Sequence, residues 1–281
     1  MDDLLADALR RLLADECTPE VVRRIPNASG CADDLWRTLE ESGFPNAMLP
    51  ERLGGAGLSL SQAFPLFELC GIRAVPVPLA ETIVARSILA GLELPIPAGS
   101  LTIEATRKLL SKSGGKQGVD LLLVQACVSS AQIAGALQSA LEITLRYANE
   151  RIQFGQAIAK FQAVQQHLSV MAEHVFAARM AAQLGCRGTP AELPKDVVAM
   201  AKARASEAAC EVAALAHAIH GAIGITEEYD LHLYTRQLHV LRRTAGSEGY
   251  WQDVLGNALL STDRLCIDLV REITDIRGEK Q

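Results

Sequence analysis

Aromatic residues are scarce in this chain, 4% of the whole, although hydrophobic residues make up 49%. The apolar content is mostly Ala, Leu, Val and Ile, a mixture that favours closely packed helices over a sandwich or barrel. A basic excess is also missing. The net charge of −6 offers no electrostatic footprint for nucleic acid. The seven cysteines (Cys17, Cys31, Cys70, Cys127, Cys186, Cys210, Cys266) contain no CxxC pair. Their number is odd and several lie in apolar helical patterns, so they read as reduced core thiols. Met1-Asp2-Asp3 is acidic where a signal peptide would be basic, and no apolar run reads as long enough to span a bilayer. There is no internal repeat and no low-complexity tract. These absences set the expectation of a soluble, cytoplasmic protein of 281 residues, long enough to bury a large core.

What is present is helical periodicity. Residues 2–14 form an amphipathic pattern, a second helix is expected over 33–42 before Gly43, and Ser59-Leu60-Ser61 opens a third over 60–72. Turn residues fill Phe44-Pro45-Asn46 and Gly54-Gly55-Ala56-Gly57, and a fourth helix follows Pro76 and Pro78 over about 80–92. The stretch from Leu94 to Leu123 is broken by Pro95, Pro97, Gly99, Gly114, Gly115 and Gly118. Only Ser100–Ala105 and Leu121–Gln125 read as strands there. Helical periodicity then returns over 128–150, 160–185, 190–219, 228–241 and 249–277, an up-and-down bundle. The expected organisation is an N-terminal helical domain (1–93), a linker (94–124) and a C-terminal antiparallel helix bundle (125–281), all-α in class.

Three motifs agree in order and spacing. Tyr147-Ala148-Asn149-Glu150-Arg151-Ile152-Gln153-Phe154-Gly155-Gln156 is followed by Phe161-Gln162-Ala163-Val164-Gln165. His220-Gly221-Ala222-Ile223-Gly224-Ile225-Thr226 leads into Asp230-Leu231-His232-Leu233-Tyr234-x-Arg236. Near the N-terminus stand Leu49-Pro50-Glu51-x-x-Gly54-Gly55 and Pro76-Val77-Pro78-Leu79. Together they resemble the acyl-CoA dehydrogenase family over about 30–95 and 125–260. The likeness is to a truncated, non-catalytic subunit of a heteromeric dehydrogenase of the steroid side-chain type.

That resemblance implies a flavoprotein that oxidises an acyl-CoA thioester to the 2,3-enoyl form, with hydride passing to FAD. It implies that Arg151 faces the FAD pyrophosphate, that Phe154 packs near the cofactor and that Gln162 hydrogen-bonds it. It also implies that the turn at Gly221 and Ala222, closed by Gly224, brings backbone close to phosphate. Read without the family, Arg151 is a cation capping the C-terminal end of its helix and Phe154 is core.

Three departures accompany the matches. The family's central β-domain is largely deleted, since about thirty residues stand where relatives have roughly a hundred more. The position of the family's catalytic Glu is Ala245, and its alternative position on an earlier helix is Gln125, beside Ala126 where some members carry an Arg. Neither Ala nor Gln is a general base. Ala218 and Ala222 replace a Gln and a Gly of the glycine turn. The resemblance thus implies a chain with no catalytic residue of its own that completes the FAD site of a full-length paralogue, as an α2β2 assembly. A flavin-free homo-oligomeric scaffold is the alternative, and a self-contained enzyme using Glu248 on a different reaction is a third; Glu248 and Asp253, which follow Ala245, read as residues favouring a helix dipole rather than as a relocated base. His217, His220, His232 and His239 do not form a ligand set with a carboxylate or thiol. Ser129, Ser130 and Ser206 have no His/Asp partners at suggestive spacing.

Overall fold

The computed structural model describes residues 2–25, 29–113, 118–261, 267–268 and 271. Eleven α-helices are traced among them: α1 (Asp2–Glu16), α2 (Pro19–Arg24), α3 (Ser29–Glu41), α4 (Leu60–Ile72), α5 (Leu79–Gly91), α6 (Ile103–Lys112), α7 (Leu121–Glu150), α8 (Gln162–Gly185), α9 (Lys195–His220), α10 (Leu231–Arg243) and α11 (Glu248–Leu260). Two two-residue strands, β1 (Ile152–Gln153) and β2 (Gln156–Ala157), pair antiparallel. The protein is all-α. Of the helix expected over 249–277, residues 262–266, 269–270 and 272–277 lie outside the described residues, Cys266 among them.

The N-terminal helices begin and end where their flanking chemistry dictates. Ser59 accepts from the Gln62 amide while the Gln62 side chain accepts from the Ser59 amide, a reciprocal cap that starts α4. The Leu49–Gly57 loop folds back on itself at Gly55. A Cβ there would lie 2.1 Å from the Leu49 carbonyl oxygen, so no larger residue fits. Arg86, almost fully buried in α5, ties this region together. Its guanidinium donates to Asn46 Oδ1 (2.6 Å), Glu40 (2.9 Å) and the Gly99 carbonyl (3.0 Å).

Two of the sequence expectations are corrected here. Ser100–Ala105 is not a strand: Thr102 accepts from the Ala105 amide and opens α6. Leu121–Gln125 is not a strand either, but the first turn of α7, capped by Asp120, which accepts from the amides of Leu122 and Leu123. The run Leu121–Val128 is apolar on nearly every side because it is buried on nearly every side, which erases the 3.6-residue period. The sequence pass also missed α2, a short helix with Pro19 in its first turn.

α7 through α10 run back and forth as neighbours, joined by short connections. A 30-residue helix is about 45 Å long, so α7 crosses the whole molecule. α4 meets it at backbone contact. A Cβ on Gly71 would lie 1.9 Å from the Gln132 carbonyl oxygen, and one on Gly135 would lie 2.0 Å from that of Glu68. Residues of α1, α3, α4 and α5 share one buried core with the first half of α7, the facing ends of α8 and α9, and Trp251 of α11. A second core fills the other end of the bundle.

Residues 113–120 alone separate α6 from α7, so the central β-domain is absent. The expectation that no apolar run reaches bilayer length is also corrected. By length and composition α7 qualifies, as does the stretch Lys195–Ile225, with 78% and 39% of their most apolar windows buried inside the molecule. Alanine-rich helices that serve as bundle core pass the same test.

Candidate functional site

The Arg151–Phe161 segment leaves α7 and enters α8 as a tight hairpin. Arg151 is the residue at which α7 stops. Its amide still bonds the Tyr147 carbonyl, and its own carbonyl accepts from the Ile158 amide. β1 and β2 pair Ile152 with Ala157 and Gln153 with Gln156, leaving Phe154 and Gly155 as the two-residue tip. Both tip residues have positive φ, +51° and +79°. That is the geometry whose twist suits a two-residue hairpin, and it is costly for Phe. Phe154 is nevertheless 92% exposed, with its ring edge-on to Phe161 at a centroid distance of 6.1 Å. Arg151 and Gln162 are exposed as well. The reading of Phe154 as core is therefore wrong. The reading of Arg151 as the residue capping its helix is right in position.

The glycine turn lies at the same end of the bundle. Gly221 ends α9 at φ +64° and ψ −144°, a region that only glycine enters freely. Gly221 and Ala222 are exposed, and Gly224 is buried where a Cβ would lie 2.9 Å from the His220 side chain. Tyr147 joins this turn to the hairpin. Its ring stacks on His220 at 4.3 Å and its hydroxyl donates to the His220 carbonyl (3.4 Å). Tyr229 closes the cluster edge-on against Tyr147. Burial pushes the His220 imidazole below its ordinary pKa. Its Nδ1 lies 2.8 Å from the Ala216 carbonyl, so Nδ1 carries the proton and the neutral ring packs as an aromatic. Tyr147 sits inside the first motif, yet its partner His220 lies 73 residues away, and sequence spacing gives no sign of the pair.

Ala245 sits in the α10–α11 connection, with φ +59° followed by Gly246 at +99°. Three interactions hold this connection. The fully buried Lys202 of α9 donates to Ser206 Oγ and to the carbonyls of Leu241 and Arg242, each at 2.9 Å. Arg242 grips Glu248 with two nitrogens. Trp251 Nε1 donates to the Ala245 carbonyl at 2.8 Å. The Arg242 guanidinium holds the Glu248 carboxyl below the usual carboxylate range, which makes it a weak base. Gln125, on the first turns of α7, donates to Glu81 at 3.5 Å. The other oxygen of Glu81 accepts from the Ile103 amide at 2.8 Å. Ser129 and Ser130 both donate to the Ala126 carbonyl of their own helix.

The acyl-CoA dehydrogenase N-terminal domain matches residues 2–91, and the acyl-CoA dehydrogenase C-terminal domain matches residues 117–260. The chain belongs to the acyl-CoA dehydrogenase family. Acyl-CoA dehydrogenase IpdE2 of Mycolicibacterium smegmatis is 28% identical, an alignment covering 84% of this chain and 92% of that protein. IpdE2 of Mycobacterium tuberculosis is 27% identical, with 84% and 90% covered. Among solved structures, a chain of the ChsE4-ChsE5 complex from Mycobacterium tuberculosis superposes with a TM-score of 0.78 at 18% identity, over 94% of this chain and 98% of that one. A chain of the Tcur3481-Tcur3483 steroid ACAD superposes with a TM-score of 0.76 at 21% identity, over 92% and 97%. In this acyl-CoA dehydrogenase chain without the β-domain, the Arg151–Phe161 hairpin and the Gly221–Gly224 turn lie at one end of the bundle.

Proposed function

We propose that this chain is a non-catalytic subunit of a heteromeric, FAD-dependent acyl-CoA dehydrogenase. It works beside a full-length paralogue that carries the catalytic Glu, as an α2β2 assembly. The observation that carries this reading is the direction of the hairpin. Phe154 is held outward at a strained tip, and Arg151 and Gln162, at the two feet of the hairpin, are exposed beside it, so little of these side chains is packed within their own chain. An exposed guanidinium and an exposed aromatic ring suit the pyrophosphate and ring systems of a flavin held by a neighbour. FAD, when bound there, accepts the hydride lost from the acyl chain.

Arg151 supplies a fixed positive fork, Gln162 a hydrogen-bonding amide and Phe154 an apolar face. The Gly221–Ala222 turn offers backbone without a bulky side chain, although Ala222 adds a methyl group where relatives have none. The positions that relatives use for the base are Ala245 and Gln125, and neither accepts a proton at neutral pH. Solved structures that superpose on this chain include chains from a ChsE4-ChsE5 complex and from a Tcur3481-Tcur3483 steroid ACAD, which supports a paired assembly and a bulky acyl substrate.

Co-expression with a full-length paralogue from the same organism tests the proposal. The purified pair is expected to be yellow and active, and the chain alone colourless and inactive. Arg151→Ala in the pair should cut flavin retention at least tenfold. A colourless, inactive pair would favour instead a flavin-free scaffold built on the same fold.

A further inference from the structure

A cleft of about 330 Å³ opens beside the start of α7, at the end of that helix away from the hairpin. Four separate stretches of chain enclose it. Leu58 and Leu60 come from the turn into α4, Ile88 and Leu92 from the end of α5, Val119 from the α6–α7 connection and Pro190 from the α8–α9 connection. Among the described residues no charged side chain lines it, and the polar side chains are Ser59, Ser87 and Thr189.

The walls are fixed by contacts of the chain with itself. The Leu58 amide donates to the Ala47 carbonyl (3.1 Å). Ser61 Oγ donates to the Cys186 carbonyl (2.9 Å), which ties the start of α4 to the end of α8. In the α8–α9 connection Thr189 bridges to Glu192 beside Gly188, whose φ is +103°. Asp120 caps α7 directly after Val119. A preformed, mostly apolar cleft with a few polar groups is the usual form of a small-molecule site. The Ser59 hydroxyl is taken by the Gln62 amide, so Ser87 on α5 and Thr189 are the hydroxyls left to meet a ligand.

This cleft differs from the hairpin end in place and in chemistry. α7, about 45 Å long, separates Val119 from Arg151. Val119 belongs to the short connection that stands in place of the β-domain, so the cleft takes part of its shape from that connection.

We propose that this cleft binds an uncharged, largely apolar bicyclic molecule, with one hydroxyl or carbonyl group turned toward Ser87 and Thr189. The cleft is roughly twice the size of a cavity that takes up benzene. A charged group brought in here loses hydration and meets no counter-charge, so ionic analogues of the same shape are rejected.

Calorimetric titration of the purified chain with 2-naphthol, naphthalene-2-sulfonate and phenol tests this. 2-Naphthol should bind one to one, at least about tenfold more tightly than the sulfonate, which adds a charge, or than phenol, which lacks the second ring. Gly91 ends α5 at the cleft, and a Cβ there would meet no atom within 4 Å. Gly91→Leu should therefore fold normally, fill the cleft and abolish binding. Gly249→Leu, at an equally open position on α11, should leave binding unchanged. Thr189→Val, which keeps the shape of the wall, should weaken 2-naphthol about threefold. Equal affinity for the sulfonate, more than one site per chain, or undiminished binding by a folded Gly91→Leu variant would overturn the proposal. So would an absence of binding at millimolar ligand, which would leave the cleft to a side chain of a partner. None of these measurements involves flavin or a paralogue, so the subunit proposal stands or falls separately.

Discussion

Lys202 is a charged residue that the fold takes out of water. It is fully buried, and desolvation drops its ammonium from 10.5 to about 7, although Glu248 nearby pulls the other way. The folded chain therefore holds fewer protons than the unfolded chain between pH 7 and 10.5, and stability rises with pH across that window. His217 and His220, both pushed below their ordinary values by burial, act in the same direction on the acid side. The buried thiols of Cys17 and Cys70, pushed up from 9.0 to about 12, reverse the trend above pH 9. Urea midpoints should climb from pH 6 to 9, with about 2 kcal/mol gained between 7 and 9 from Lys202 alone, and then fall. Lys202→Met should flatten the climb above pH 7. A wild-type midpoint independent of pH would show that Lys202 keeps its proton. None of this was legible in the sequence, where Lys202 stands among alanines on α9 like any solvated lysine. Only the arrival of the α10 carbonyls from 39 and 40 residues away makes it a clamp.

Among the elements, the hairpin separates structure from function most cleanly. Phe154 is held at positive φ at a cost of about 1 kcal/mol, yet its exposed ring returns little packing. Phe154→Gly should raise the melting temperature slightly, or leave it unchanged, while lowering flavin retention in the paired enzyme. A variant that melts much lower would make Phe154 an ordinary structural residue. The elements also show how far the sequence could be read. α4 is legible at both ends because Ser59 is a local cap at its start and Pro76 and Pro78 follow its end. α8 and α10 were found within a few residues because each keeps one solvated face. The start of α7 and the whole of α6 were misread. An all-apolar run hides helical period, and Leu101-Thr102-Ile103 alternates like a strand although Thr102 is a cap. The hairpin residues were picked out through family likeness, but their outward aim depends on a turn type that Phe does not advertise.

In the molecule as a whole, the N-terminal helices and the bundle share a core, and the backbone contact of α4 with α7 is its seam. Trp36 of α3 and Trp251 of α11 both pack against that core from opposite ends of the chain. Single-tryptophan variants Trp36→Phe and Trp251→Phe should therefore report coincident unfolding midpoints. Two separated transitions would mean that the halves unfold independently. Gly135→Ala should lower both midpoints together. Its Cβ meets backbone oxygen that cannot step aside, and overpacking of this kind costs about 1–3 kcal/mol or more.

The brevity of residues 113–120 carries a last consequence. Fully extended, that segment reaches about 28 Å at most. The end of α6 and the start of α7 are thus near enough for any module whose own termini lie close together to be spliced between them without redirecting either helix. The helical frame behaves as a socket from which a cassette has been lifted out. Splicing the β-domain of a longer relative into this gap should yield a folded chimera with the two helix groups in their present arrangement.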